Sequence, residues 1–168
     1  MEGSGVPWGH LEGRGPVQRR AMEVPLFLGT FYPRLDDKGR LIVPAKYRAG
    51  LAGGLVIAKG QENCLNVFPM AEFVALTDKL RTASFTDEAS RVYQRILFSS
   101  AHDCEPDSQH RVSIPNDLRL YAGLDRDLAV LGSNNRLEIW DSTAWATWQE
   151  RADPIFSATA SEVVPGVL

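Results

Sequence analysis

The chain lacks the features of a membrane-spanning, secreted or disulfide-bonded protein. No apolar run in it approaches the ~18–20 residues that a membrane-spanning helix requires. Its N-terminal segment has no apolar stretch typical of a secretory signal. Only two of its 168 residues are cysteine, Cys64 and Cys104, and they form no Cys-x-x-Cys pair. Such sparse cysteines favour free thiols in a reducing compartment. We therefore expect a cytoplasmic protein with no membrane contact.

Motifs of the common catalytic classes are also missing. The sequence contains no Gly-x-Ser-x-Gly, no P-loop and no His-Glu-x-x-His. The one concentration of metal-ligand side chains is His-Asp-Cys-Glu at 102–105. Four consecutive residues of a regular segment cannot all face one metal ion, and no second cluster completes a tetrahedral site. We expect no enzyme activity, no metal, no cofactor and no small-molecule substrate.

An excess of positive charge is absent as well. Eighteen lysines and arginines stand against 21 aspartates and glutamates, which gives a net charge of −3. The chain as a whole therefore produces no positive field that would attract nucleic acid. A DNA-binding protein of this composition needs its cations concentrated on one surface or multiplied by self-association.

The sequence does contain an internal repeat. The segment Asp36–Arg48 returns as Asp107–Arg119, and Asp36 and Asp107 are 71 positions apart, as are Arg40 and Arg111. An internal repeat is considered before other sequence signals, because overlooking it leads to a wrong fold class. The repeated unit, which comprises a turn, a short strand, a proline and a short helix, is too small to bury a core alone. The two copies must therefore pack on each other.

Apolar runs and breaker residues predict the elements of each copy. Copy one is predicted to contain a strand at 26–32, a turn at 36–39, a strand at 40–43 and a short helix after Pro44 at 45–48. A hairpin of strands 55–58 and 64–68 follows, and then a helix after Pro69 at 70–80. Copy two repeats this order, with hairpin strands at 128–131 and 137–140. Its last helix follows Asp141 and carries Trp145 and Trp148, whose spacing favours core packing over a base-stacking platform.

These signals divide the chain into five segments. A disordered extension is expected over 1–24, a first unit over 25–83, a linker helix over 84–101, a second unit over 102–152 and a flexible tail over 153–168. Thr86 is the predicted N-cap of the linker helix. Its apolar stripe, which includes Val92, Tyr93, Ile96 and Leu97, is expected to face the core.

Each copy places a carboxylate four residues before an arginine across a tight turn. One interpretation is contact with phosphates or bases, because the planar guanidinium pairs bidentately with phosphate or guanine. The other is structural, with Asp36 capping the turn and pairing with Arg40. The spacing alone does not decide between them. Copy one has surplus positive charge, copy two has none, and Lys38 at the loop tip favours contact in copy one.

The stretch Phe27–Arg48, followed by the second Asp-x-x-x-Arg copy, closely resembles the bacterial MraZ transcriptional regulators. The similarity runs from about Leu26 to Trp148 and includes Leu137–Asp141. The resemblance implies a mixed α+β, mainly β fold of two tandem swapped-hairpin, AbrB-like units related by a pseudo-twofold axis. It also implies a ring homo-oligomer in the nucleoid. Such a ring would bind short direct repeats in double-stranded DNA upstream of the division and cell-wall gene cluster, including its own promoter.

The cations in and just before the two repeated segments are the predicted DNA-binding residues: Arg34, Lys38, Arg40, Lys46, Arg48, Arg111 and Arg119. The predicted turn-forming residues are Asp36, Gly39, Asp107 and His110. His110 departs from copy one, which has glycine there, so we expect either a second turn of different shape or an altered grip on DNA.

A different class of function also fits the repeat. The duplicated fold could be an oligomeric protein-interaction scaffold with little DNA affinity. The loop that carries Lys38 and Arg40 discriminates between the two, because Arg40→Ala should abolish binding by a DNA reader and leave a scaffold unaffected.

Overall fold

The computed structural model describes residues 25–159 and 163–164. The extension predicted over 1–24 lies outside the described residues, as do 160–162 and 165–168. The described part is a mixed α/β structure built around an antiparallel sheet, which confirms the mixed fold class that the resemblance implies. No helix in the described ranges has both the length and the apolarity to cross a bilayer.

One large sheet organises the molecule. Its six strands are β1 (Thr30–Phe31), β3 (Leu55–Lys59), β4 (Leu65–Pro69), β5 (His102–Cys104), β7 (Leu128–Gly132) and β8 (Leu137–Asp141). They are ordered β1-β7-β8-β4-β3-β5, and each neighbouring pair is antiparallel. Both predicted hairpins, β3–β4 and β7–β8, are confirmed.

The strand order relates the two copies. Corresponding strands lie at equal distances from the central β4–β8 pair, in which Asn66 is opposite Glu138. The first strand of each copy pairs with the hairpin of the other, because β1 joins β7 and β5 joins β3. Neither copy therefore completes its own half of the sheet.

A separate two-stranded ribbon lies over this sheet. It consists of β2 (Arg40–Ile42) from copy one and β6 (Arg111–Ser113) from copy two, paired antiparallel with Leu41 opposite Val112. These two residues are buried and join Leu55, Ile57 and the other inward-facing residues of the hairpins in the main core. The ribbon is thus fixed by apolar packing on one face only.

The helices occupy both sides of the sheet. Short helices follow the ribbon strands: α1 (Arg48–Leu51), entered through a 3₁₀ turn at Ala45–Tyr47, and α4 (Asn116–Tyr121). Of the longer helices, α2 (Met70–Leu80) follows β4, α3 (Glu88–Ser100) precedes β5 and α5 (Ser142–Ala158) follows β8. Proline at the N-cap starts α2 and α4, which fits its fixed φ.

The strand predicted over 26–32 is much shorter in the structure. Only Thr30 and Phe31 form β1, and Phe27 makes an isolated bridge to Asn134. Gly29 interrupts the segment because its φ is +88°, a conformation that side-chain-bearing residues rarely adopt. Tyr47 holds the resulting bend by donating its hydroxyl hydrogen to the carbonyl oxygens of Leu28 and Gly29, at 2.9 and 2.7 Å.

Two helix predictions need correction. The N-cap of α3 is Asp87 rather than Thr86, since the Asp87 carboxylate accepts a hydrogen bond from the Ser90 amide at 2.8 Å. The tail predicted from residue 153 is wrong for 153–158, because α5 continues to Ala158 with Pro154 inside it. The apolar residues after Ala152 are too few to show helical periodicity, and proline argues against a helix in sequence.

The apolar stripe of α3 also differs from expectation. Leu97 is buried, but Val92, Tyr93 and Ile96 are 40–55% exposed. The predicted core-facing helix therefore contacts the sheet along only a narrow line, near Leu97 and Ser100, and turns most of its stripe outward.

Candidate nucleic-acid interface

The first turn is held by one carboxylate. Asp36 Oδ1 accepts hydrogen bonds from the backbone amides of Lys38 and Arg40, both at 2.9 Å, and Oδ2 accepts from Arg40 Nε at 2.7 Å. Two backbone bonds close the loop, from Gly39 N to Asp36 O and from Asp36 N to Arg40 O. Gly39 has a φ of +73°. The side chain that fixes the turn therefore also fixes the direction of Arg40.

The second turn has the same geometry. Asp107 Oδ1 accepts from the amides of Gln109 and Arg111 at 2.9 and 2.8 Å, and Oδ2 accepts from Arg111 Nε at 2.7 Å. His110 stands where copy one has Gly39 and takes a φ of +60°. The expectation that this turn differs in shape is wrong, because histidine adopts the left-handed conformation that the turn requires.

These contacts lower the pKa of both aspartates. The pKa of Asp36 lies below its ordinary value chiefly because the Arg40 amide bonds the carboxylate, with further help from the Arg40 side chain. The pKa of Asp107 is lowered by the equivalent bonds from Arg111. Both carboxylates are therefore ionised at neutral pH and stay paired with their arginines.

The ribbon presents both arginines on one face. Residues alternate along a strand, so Leu41 and Val112 point to the core and their neighbours point outward. Arg40 lies opposite Ser113, and Arg111 lies opposite Ile42. The outer face, which we call the ribbon face, consists of Arg40, Ile42, Arg111 and Ser113. The two turns flank it at opposite ends.

Each turn also receives an arginine from the other copy. The Arg119 guanidinium of copy two covers Gly39, where a β-carbon would overlap Arg119 Nη1. Arg48 of copy one lies in a cleft beside Asp107 and His110, where its Nε donates to the carbonyl oxygen of Val43 at 2.9 Å. In sequence, the charge of Arg48 counts with copy one and that of Arg119 with copy two. In the structure Arg48 lies beside the second turn and Arg119 beside the first, so that count is corrected here.

The other predicted cations lie less centrally. Lys38 is exposed at the tip of the first turn. Arg34 pairs with Asp127 at 2.9 Å on the strand segment that enters this turn. The ammonium group of Lys46 lies near Gly29, just before β1. The structure thus brings Lys38, Arg40, Arg111, Arg48 and Arg119 to the two turns but does not bring Lys46 there.

Sequence reasoning missed three residues of this surface. Arg126 reaches the first turn from copy two and contacts Asp37 Oδ1 at 3.0 Å. Ile42 and Ser113 occupy the ribbon face between the arginines. The alternation of Arg40, Leu41 and Ile42 could have indicated that Ile42 points outward, whereas no signal in the sequence marked Arg126.

The tryptophans Trp140, Trp145 and Trp148 lie on the other side of the sheet. Trp140 is buried, and Trp145 and Trp148 of α5 pack against it with ring centroids 5.3 and 5.8 Å away. These tryptophans contact Cys64, Ala129 and Leu131 in a second, smaller core. Within the described ranges, no group of three or more histidine, cysteine or carboxylate side chains is placed to hold a metal ion.

A two-stranded antiparallel ribbon of this kind has the width to enter the major groove of B-form DNA. Guanidinium groups on its outer face would meet base edges, and those at its two ends would meet phosphates. The fold and this surface define an internally duplicated α/β protein with paired Asp-x-x-x-Arg turns on a shared ribbon.

The chain belongs to the MraZ family. The family model described as "MraZ protein, putative antitoxin-like" matches residues 26–96 and again 97–164. The chain is 55% identical to the transcriptional regulator MraZ of Thermobifida fusca over 143 residues, which are 85% of this chain and all of that protein. It is also 55% identical to the same regulator of Frankia alni over 143 residues, with the same coverage. It is 54% identical to that of Salinispora tropica over 142 residues, covering 84% of this chain and all of that one. These relatives are named as regulators of transcription, and the family is not one of enzymes.

Proposed function

We propose that the chain is a sequence-specific DNA-binding regulator of transcription that acts as a ring homo-oligomer of swapped-hairpin, AbrB-like units. Its targets are short direct repeats upstream of the division and cell-wall gene cluster, including its own promoter. It works in the nucleoid without a cofactor or a small-molecule ligand. The names of its relatives support regulation of transcription, and the targets are those that the family resemblance implies.

The observation that carries this proposal is the ribbon face. Two turns of the same geometry aim Arg40 and Arg111 to the same side of one two-stranded ribbon. The Asp–Arg pair is compatible with both the structural and the DNA-contact interpretation of the motif. The carboxylate accepts a hydrogen bond from Nε and thereby holds the rest of the guanidinium in a fixed direction. A fixed arginine loses less conformational freedom when it binds.

The strand exchange supports the swapped-hairpin assignment. β1 and β5 are each lent to the other copy, and the ribbon draws one strand from each copy. Exposed apolar side chains on α3 and near the end of α5 support self-association. They include Val92, Ile96, Phe98, Ile155 and Phe156, of which Phe156 is 85% exposed.

Self-association also answers the problem of the acidic net charge. A single ribbon face offers few phosphate contacts, but a ring repeats the face on every subunit. Linked sites raise the effective concentration for direct repeats in one DNA, so that weak contacts accumulate. The further cations Arg34, Lys38, Arg48 and Arg119 contribute at the turns of each subunit.

The test is a salt-titrated binding assay on the duplex that immediately precedes the coding region. The Arg40→Ala/Arg111→Ala double variant is expected to lose most of its affinity, and its log–log salt slope should fall by about 2. Arg81→Ala is the matched control, because Arg81 is an exposed arginine at the C-terminal end of α2, outside the turns and the ribbon. An unchanged affinity in the double variant would favour the scaffold function.

Ring assembly is tested separately. Duplexes with one, two and three copies of the bound repeat should show affinity that rises steeply with repeat number. Mass measurement in solution should show an oligomer that Ile96→Glu weakens. Flat affinity across the series, or a monomeric wild-type protein, would contradict the ring.

A further inference from the structure

One residue of the ribbon face does not fit a surface that binds phosphates alone. Ile42 is 54% exposed, whereas its neighbours Leu41 and Val43 are 4% and 3% exposed. A single exposed isoleucine is ordinary on a protein surface. This one, however, lies on the same face as both motif arginines, directly opposite Arg111.

The immediate surroundings of Ile42 are polar and cationic. Arg111 lies directly opposite on β6, at the ~4.5–5.5 Å that separates facing Cβ atoms in an antiparallel pair. Arg40 precedes Ile42 by two residues on the same face, and Ser113 is its diagonal neighbour. An apolar protein surface docked here would bury two guanidinium groups, which is costly. The charge instead favours a polyanion that has an apolar group within reach.

B-form DNA provides such a group in its major groove. Among the four bases only thymine presents a methyl group there, and apolar side chains contact it. The major groove of B-form DNA, at ~12 Å, admits a two-stranded ribbon, whereas the minor groove is only ~6 Å wide. The outer residues of β2 and β6 would therefore face base edges in the major groove. Of the four residues on the ribbon face, Ile42 is the one with an apolar side chain.

We propose that Ile42 is a specificity-determining residue that packs against the 5-methyl group of a thymine while Arg111 contacts the adjacent base or phosphate. This inference rests on the proposed DNA-binding function and assigns a base to the same surface.

The two halves of the ribbon face are not equivalent. Ser113 is the copy-two counterpart of Ile42, and a hydroxyl group can donate to or accept from any base. One half thus combines Arg40 with a hydroxyl group, and the other combines Arg111 with an aliphatic side chain. Such a face reads an asymmetric sequence in one orientation, which suits direct repeats rather than palindromes.

The experiment compares two forms of the duplex that precedes the coding region, one with thymine and one with uracil in place of every thymine. Uracil lacks only the methyl group. Wild-type protein should bind the thymine duplex about fourfold more tightly for each methyl group that a ribbon covers. Ile42→Ser, which copies the residue of the other half, should bind both duplexes with the affinity of wild type for the uracil form.

Two further measurements separate this role from others. Val74→Ser changes an equally exposed apolar residue on α2 and should keep the preference for thymine. Ile42→Ser should leave the salt slope unchanged, because it removes no cation, whereas Arg111→Ala removes one and should lower the slope by about 1.

The outcomes are distinct. If wild type ignores the thymine duplex at low salt, the DNA-binding function itself fails. If wild type binds both duplexes equally, or Ile42→Ser keeps the thymine preference, only the role of Ile42 is overturned. A changed oligomeric state of Ile42→Ser in solution would also overturn it, because the side chain would then be a contact between subunits.

Discussion

The two Asp-x-x-x-Arg turns share one set of hydrogen bonds and differ in all three residues between the aspartate and the arginine. Copy one has Asp37, Lys38 and Gly39, and copy two has Ser108, Gln109 and His110. The same three carboxylate bonds form in both, within 0.1 Å. The aspartate and the arginine therefore determine the shape of the turn, while the intervening residues determine what the turn offers to a ligand.

The difference between Gly39 and His110 follows from the arginine that each turn receives from the other copy. Arg119 covers Gly39, so a side chain at this position would have to displace its guanidinium. Arg48 instead bonds the Val43 carbonyl oxygen, and His110 is exposed. The same backbone conformation thus supports a covered first turn and an open second turn.

The largest expected difference between the turns concerns DNA affinity. Arg40→Ala and Arg111→Ala should each weaken binding by roughly 5- to 150-fold, the cost of one arginine contact. Arg40→Ala should be the more harmful, because Lys38 and Arg119 hold DNA close to the first turn. Equilibrium binding of the two single variants to the same duplex measures the ranking.

An exchange of the tip residues sharpens this ranking. Lys38→Gln combined with Gln109→Lys moves the tip charge from the first turn to the second without changing the net charge of the chain. The order of the two arginine variants should then reverse in this background. An order that persists would show that the tip charge does not set it.

The next effect concerns stability. Gly39→Ala forces a side chain into the left-handed conformation and against Arg119, which should destabilise the fold by about 1–2 kcal/mol. His110→Ala keeps a residue that already carries a Cβ at this φ, so its cost should be a few tenths of a kcal/mol. Urea unfolding midpoints measure both.

A control distinguishes the two causes at Gly39. In Gly39→Ala/Arg119→Ala the steric overlap is gone and only the backbone strain is left. If Gly39→Ala lowers the unfolding midpoint as much in the Arg119→Ala background as in the wild-type protein, backbone strain accounts for the loss of stability. Equal losses in Gly39→Ala and His110→Ala would contradict the proposed difference between covered and open turns.

The smallest expected difference is in acid. Because folding lowers the pKa of both Asp36 and Asp107, their contribution to stability is complete above the unfolded pKa of about 3.9 and is lost as pH falls through the lowered folded pKa. Carboxyl chemical shifts followed from roughly pH 6 to 2 should show both aspartates below the ordinary value. A much lower pKa for one than for the other would mean that the two hydrogen-bond sets are not equivalent in solution.

Much of the local structure was predictable from sequence. Leu55–Ala58 and Leu137–Trp140 are apolar runs of strand length with breakers on both sides, and they form strands. The constant separation of Asp36 and Arg40 from Asp107 and Arg111 also indicated two similar turns. These features depend on neighbours in the chain, so the sequence contains them directly.

The features that join distant segments were not predictable in this way. Arg119 covers Gly39 and Arg126 reaches Asp37 only because the ribbon and the sheet cross the boundary between the copies. The outward stripe of α3 likewise depends on how narrow its contact with β3 is. Helical periodicity shows that Val92 and Ile96 share a face but does not show what covers that face.

The exchange of β1 and β5 has a consequence for how the molecule tolerates change. Each half supplies an edge to the sheet of the other and an arginine to its turn. A half made by itself would expose an unpaired row of backbone donors and acceptors and an open core, a state prone to pairing with further copies of itself. Loss of the exchanged strand or arginine of one repeat therefore affects the other repeat, and we expect the two to fold as one unit.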